Sequence, residues 1–312
     1  MPAISDAGSE YWGQPFPAAR WWCAVLKPAR DYPSFRAVVE PGKLVRVAGA
    51  HSALAAILAE QAGFPAVWAS SLEISALRAL PDASLLSMNE YLRVALEMQK
   101  ALAIPVVADC DTGFGNNLNV AHMVREYEDA GITAVCIEDK VFPKINSFSR
   151  SRHELVDIGT FCSKLTVAKN TQRTPDFFVI GRTEALISGL GVDEALHRCE
   201  AYEDAGADAV LVHSKWPTNK EVLEFLQLWR GKCPVVIVPT TYPQWNAAEA
   251  FQAGVSVIIY ANHALRALIS TLQKTYRLIL REGDTVAIES RIASLQDVFK
   301  LQRLEEWKSL QP

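Results

Sequence analysis

The chain has 312 residues, of which 50% are hydrophobic and 21% charged, enough apolar material for one large core. Its formal net charge of −4 excludes a broadly basic nucleic-acid groove and a surface suited to anionic membranes. The six cysteines, at 23, 110, 136, 162, 199 and 233, contain no C-x-x-C pair; this excludes a disulfide frame or a cysteine zinc site and fits buried thiols in a reducing compartment.

In chain order, residues 1–31 stand apart as an arm with three of the eight tryptophans (Trp12, Trp21, Trp22), and residues 32–312 are expected to form a single domain. "LVRVAGA" (44–50) reads as the first strand. "EQAGFPAVWASS" (60–71) follows: a helix end, an Ala-Gly stop, a short turn and a strand. A helix is expected over 87–102, a strand at "PVVADCD" (105–111) and a helix over 119–130, each helix with apolar residues three and four apart. The helix-stop-strand phrase then returns as "EDAGITAVCIED" (128–139). After a strand at "FFVIGRTEA" (177–185) and a helix over 192–205, it comes again as "EDAGADAVLVHS" (203–214). "PVVIVPTT" (234–241) precedes the last copy, "FQAGVSVIIYAN" (251–262). Almost continuously apolar strands belong to a parallel sheet buried on both faces. Eight of them alternating with helices predict a (β/α)8 barrel, and no G-x-G-x-x-G follows any strand to favour an open dinucleotide-binding sheet. Two further helices, 264–283 and 294–310, exceed what closes a barrel, so the last is expected to pack on a partner subunit. With no apolar run of membrane-spanning length and no basic-then-apolar leader, a soluble, cytoplasmic protein is expected.

Barrel chemistry collects at the C-terminal strand ends, and polar residues gather there around one rim. Strand two ends in Trp68, Ser70 and Ser71, strand three in Asp109 and Asp111, and strand four in Glu138, Asp139 and Lys140. Strand five carries Arg182 and Glu184, strand six His213 and Ser214, and strand eight Asn262 and His263. Asp109 and Asp111, two apart, are expected to face one way along their strand. With Glu138 they make an all-oxygen cluster whose repulsion and desolvation a hard cation such as Mg²⁺ relieves. Arg182 and His213 are donors suited to phosphoryl or carboxylate oxygens. "EDKVFPKINS" (138–147) places Lys144 and Asn146 on a loop that supplies donors to a ligand and excludes water on closing. "CDTGFGNN" (110–117) lacks the lysine of a phosphate loop and reads as a tight turn beside the cation.

"VVADCDTGFGN", "IEDKVFPKINS", "VIGRTEALISGLG", "AGADAVLVHSK" and "VVIVPTTYPQ" together resemble the phosphoenolpyruvate mutase and phosphonopyruvate hydrolase branch of the isocitrate lyase superfamily, over about residues 34–303. The resemblance implies a barrel that exchanges its C-terminal helix with a neighbour in a homotetramer built as a dimer of dimers. It also implies Mg²⁺ and a small keto or enol acid bearing phosphorus. Carried over by position, Asp109 holds the metal directly, while Asp82, Asp111 and Glu138 hold its waters. Trp68 and the backbone around Ser70, Ser71 and Leu72 grip the pyruvyl end; Arg182 and His213 hold the phosphoryl end. Lys144 and Asn146 lie on the gating loop. The implied activity is interconversion of phosphoenolpyruvate and phosphonopyruvate, a step of phosphonate biosynthesis. The alternatives are phosphonopyruvate hydrolysis, or a related phosphonate or phosphinate mutase. Asn146 favours the mutase, since the hydrolase tends to have threonine there. The Lys-Cys-Gly-His loop of the lyases is missing from this chain. Ser71 departs from the pattern, standing where the mutase motif has glycine.

Overall fold

The structure, a computed structural model, describes residues 32–311. The aromatic arm expected at 1–31 and Cys23 lie outside the described residues. Eight strands pair in parallel in sequence order: β1 (Val45–Ala50), β2 (Ala66–Ala69), β3 (Val106–Asp109), β4 (Ala134–Glu138), β5 (Phe178–Thr183), β6 (Ala209–Val212), β7 (Val235–Ile237) and β8 (Val257–Tyr260). Strand β8 closes onto β1, with Val45 opposite Val257, so the sheet is the closed (β/α)8 barrel expected and has no free edge. The repeated phrase takes its expected form. Its glycines, for example Gly63 at φ +91° and Gly206 at φ +97°, end one helix in the left-handed conformation and release the chain into the next strand.

Alternation along the strands sorts the core into two layers. Inward side chains such as Trp68, Val107, Cys136, Ile180, Leu211 and Val238 form one buried cluster inside the barrel. Outward ones, such as Val67, Val135 and Val210, pack in a second cluster with Met98, Tyr127, Phe161, Tyr202 and Phe225 of the surrounding helices. Each fully buried side chain of this size contributes about 1.5–3 kcal/mol, so the strand parity is strongly enforced. The inner row then decides what reaches the mouth. Two residues beyond those six inward positions come Ser70, Asp109, Glu138, Arg182, His213 and Thr240. The other end is sealed by Phe35, fully buried, its ring edge-on to Phe178 at 5.3 Å and its N–H on Thr133 Oγ1 at 3.0 Å.

After β8, helix His263–Glu282 buries Leu265 and leaves Ile269, Leu272, Tyr276 and Leu280 exposed. The apolar run at 294–310 is not one helix: Leu295–Leu301 and Leu304–Lys308 are separated at Arg303, which has φ +55°. A left-handed arginine costs about 1–2 kcal/mol; its guanidinium pairs with Glu306 in the following turn. Among the described residues no helix is long and apolar enough to cross a membrane, and Cys110, Cys136, Cys162, Cys199 and Cys233 are free thiols.

Candidate active site

At the mouth, Asp109 ends β3 and its Oδ2 accepts two hydrogen bonds from one residue, from Ser71 N at 3.2 Å and Ser71 Oγ at 2.8 Å. Alternation would put Asp111 beside it on the same strand. Instead β3 stops at Asp109, and Asp111 sits at φ +49° in the turn that opens 110–117. Its carboxylate thereby swings towards Asp82 and the lysine between them. Lys144 Nζ lies 2.9 Å from Asp82 Oδ1, 3.0 Å from Asp111 Oδ1 and 3.1 Å from Ser71 Oγ. Burial works against this ammonium, but Asp111, Asp82, Glu138 and Asp109 outweigh it and hold its pKa well above the usual lysine value. Burial likewise pushes Asp82 up, yet Lys144 and the Asn146 amide, 2.7 Å away, prevail and hold it below the usual carboxylate range. Asp111 keeps the upward push of burial, which Lys144 only partly offsets beside three neighbouring carboxylates, and rises to about 6.

The segment after β4 lies over this cluster as a closed cover. Lys140, itself buried, anchors its base through Ile145 O at 2.9 Å and Ser147 Oγ at 2.8 Å. Ser147 donates to Glu184 Oε2 at 2.5 Å and accepts from Arg182 at 3.2 Å. The Asn146 and Lys144 backbones bond to Asp82 O and Ser84 Oγ across the mouth. Beneath this cover remains a cavity of about 50 Å³, lined by Trp68, Ser70, Ser71, Leu72, Asp82, Asp109, Lys144, Asn146, Arg182 and His213. Asp111 and Glu138, the other expected site residues, do not line the cavity and reach it through Lys144 and Arg182.

Asn262, expected at the rim, also lines the cavity, together with Ser147, Phe148 and Thr240, to which the sequence assigns no role, and the apolar Val238 and Ala261. Thr240 is the next inward position after Val238, so strand parity would have found it. Asn262 donates to Thr240 Oγ1 at 3.1 Å, whereas its neighbour His263 lines a separate apolar pocket with His51. Phe148 packs edge-on to His213 with centroids 5.2 Å apart. Burial, reinforced by Arg182, drops His213 to about 3, so it is a neutral imidazole at pH 7 with a buried, unpartnered Nδ1. Arg182 reaches Glu184 Oε1 at 2.6 Å through Nε, with Glu138 Oε2 at 3.3 Å.

Among the described residues no three Asp, Glu, His or Cys side chains converge as a ready-made metal cage. The donor set suits a hard cation that takes one or two carboxylates directly and keeps its water. Glu138 fits a place around that water, because both its oxygens are buried without a hydrogen-bond partner, with only Arg182 Nε at 3.3 Å and Lys140 Nζ at 3.8 Å facing them. Behind the mouth, Ser70 Oγ caps helix Ser71–Ala76 at Glu73 N, and the buried Glu73 side chain accepts Leu265 N–H at 3.1 Å. Burial, against that one backbone hydrogen bond, pushes Glu73 up to about 7.

A closed (β/α)8 barrel with an acid cluster, an arginine and a covering lysine–asparagine segment at its C-terminal mouth is the layout of a barrel enzyme acting on a small anion. The model of one family, phosphoenolpyruvate phosphomutase, matches residues 35–280, and the chain belongs to that family. It is 42% identical over 280 residues to the phosphonopyruvate hydrolase of Variovorax sp. (strain Pal2), covering 89% of this chain and 97% of that one. A crystal structure of phosphoenolpyruvate phosphomutase from Streptomyces platensis subsp. rosaceus superposes with a TM-score of 0.87 at 54% identity, covering 88% and 96% of the two chains. That of phosphonopyruvate hydrolase with oxalate and Mg²⁺ superposes with a TM-score of 0.84 at 42% identity and the same coverage. The chain is thus an enzyme of the phosphoenolpyruvate mutase/isocitrate lyase superfamily.

Proposed function

We propose that the protein is a Mg²⁺-dependent phosphoenolpyruvate mutase, moving a phosphoryl group between the enol oxygen of phosphoenolpyruvate and the methylene carbon of phosphonopyruvate. The observation that carries this reading is the covering segment. Lys144 and Asn146 are seated on the acid cluster and leave only about 50 Å³ beneath them. A phosphoryl group in transit must be kept from water, and a covered pocket limits its access. Trp68 and the backbone at Ser70–Leu72 hold the carboxylate end of the acid. Arg182 gives charge-assisted hydrogen bonds to the phosphoryl oxygens, and neutral His213 adds its polar ring edge beside them. Asn146 holds the migrating group from above while Asp82 fixes its amide. Mg²⁺, on Asp109 with Asp82, Asp111 and Glu138 around its waters, would supply positive charge to the oxygens of the acid and of the loose transition state.

Hydrolysis of phosphonopyruvate is the second reading, favoured by the 42% identity to the Variovorax enzyme over 97% of its length. The 54% identity to the Streptomyces platensis mutase and Asn146 itself support the first. Phosphorus NMR of the protein with Mg²⁺ and phosphonopyruvate separates them: a phosphoenolpyruvate signal supports the mutase, inorganic phosphate alone the hydrolase. The exposed apolar residues of helix His263–Glu282 support its exchange between subunits of a cytoplasmic homotetramer, which sedimentation analysis tests.

A further inference from the structure

We infer that the Ser71 hydroxyl is a positioning group that aims Asp109 and ties it to the covering segment. The inference rests on the metal reading above and concerns the side chain that replaces glycine in the motif. A serine hydroxyl has one proton and two lone pairs. Its Oγ is 2.8 Å from Asp109 Oδ2 but 3.4 Å from Asp82 Oδ1, so the proton goes to Asp109. The lone pairs accept Lys144 Nζ at 3.1 Å. Together with its own N–H at 3.2 Å, Ser71 directs both of its donors to Oδ2. The other oxygen, Oδ1, has only the long 3.4 Å approach of Asp111 N and stays available to a cation.

Glycine at this position would keep the amide contact and lose the hydroxyl one. Ser71 is fully buried, so no bulk water substitutes for the missing hydroxyl. The chain Lys144–Ser71–Asp109 therefore runs from the covering segment to the proposed metal ligand in two hydrogen bonds. When Lys144 withdraws, Ser71 loses its acceptor role and Asp109 loses part of what fixes its rotamer. Ser71 thus makes the orientation of Asp109 depend on whether the site is covered, a coupling that a glycine enzyme would lack.

The test uses full-length protein and its Ser71→Ala, Ser71→Gly and Ser71→Thr variants. Mn²⁺ affinity is read from the paramagnetic resonance signal of the free ion, and opening of the cover from the rate of tryptic cleavage after Lys144. Losing a partner of a metal ligand typically costs about 10–100-fold in metal affinity. Ala and Gly should show that loss together with faster cleavage, and Thr, which keeps the hydroxyl, should recover both. If threonine proves too bulky to fold, the Ala and Gly pair decides. Wild-type Mn²⁺ uptake with unchanged affinity and cleavage in Ala and Gly overturns the inference alone. A wild-type protein that takes up no Mn²⁺ overturns the metal reading and the inference with it.

Discussion

Replacing Lys144 by methionine keeps an unbranched side chain, one atom shorter, and removes an ammonium placed 2.9 Å from Asp82 and 3.0 Å from Asp111. Breaking a buried ion pair from one side typically costs about 3–5 kcal/mol, because the abandoned charge stays buried. Two carboxylates are abandoned here, but neither is left bare: Asp82 keeps the Asn146 amide at 2.7 Å and Asp111 keeps Ser84 Oγ at 3.2 Å. Asp111, already raised to about 6, also escapes in part by taking a proton. The lower end of the range, about 3 kcal/mol, is therefore expected. For a domain of this size about 2–4 °C is lost per kcal/mol, so the melting temperature should fall by roughly 6–12 °C in metal-free buffer. An added cation replaces the lost charge, so excess Mg²⁺ should recover part of the fall. Differential scanning calorimetry of wild type and Lys144→Met, each with and without Mg²⁺, measures both effects. A fall below about 2 °C, or one equally large in both buffers, would refute the view of Lys144 as the counter-charge of the acid cluster.

Arg182→Lys keeps the charge but not the planar fork that reaches Glu184, Glu138 and Ser147 at once; kcat should fall more than tenfold, about 1.4 kcal/mol, and a milder loss in steady-state assays would contradict a bidentate role. Asn146→Ala should lose roughly tenfold or more of mutase turnover, the worth of one hydrogen bond to a charged group, with the remaining activity shifted towards phosphate release. Product ratios by phosphorus NMR decide this, and an unchanged ratio would count against Asn146 as a guard against water. Glu73, ordinarily near 4.5, is raised to about 7, so the folded chain keeps a proton that the unfolded chain gives up between those values. Its stabilising contribution is whole below pH 4.5 and is lost as pH rises through 7. Glu73→Gln preserves the acceptor for Leu265 N–H and abolishes the titration. The variant should gain about 2–3 kcal/mol over wild type at pH 8 and almost nothing at pH 4.5, as denaturant titrations at the two pH values will show.

The barrel was legible because its strands are apolar on both faces and its helix stops repeat one phrase, so the alternation survives any uncertainty about where each element ends. The site was legible for a related reason: the inner row that packs Cys136, Ile180 and Leu211 continues into Glu138, Arg182 and His213. Thr240 obeys the same parity and was overlooked because a hydroxyl among apolar neighbours draws no attention as chemistry. Asp111 escaped the alternation because β3 stops two residues earlier, and a turn at φ +49° is not announced by an aspartate two places after a strand residue. Lys144 follows a proline in a polar loop and reads as a donor to a ligand; its burial between two carboxylates depends on how segments 62 residues apart fold together. The break at Arg303 was invisible because both halves keep helical spacing, and only a glycine there would have signalled it.

The hydrogen bond from Leu265 N to Glu73 has a wider reach than its length suggests. It pins the first turn of the long C-terminal helix to the short helix whose entry, Ser70–Leu72, forms one wall of the cavity. The long helix also carries the exposed apolar side chains Ile269, Leu272, Tyr276 and Leu280. A neighbour that clasped those side chains would bear on the segment proposed to grip the substrate. Under the proposed exchange between subunits, specific activity should then rise with protein concentration, and dilution would act as an inhibitor without touching the acid cluster.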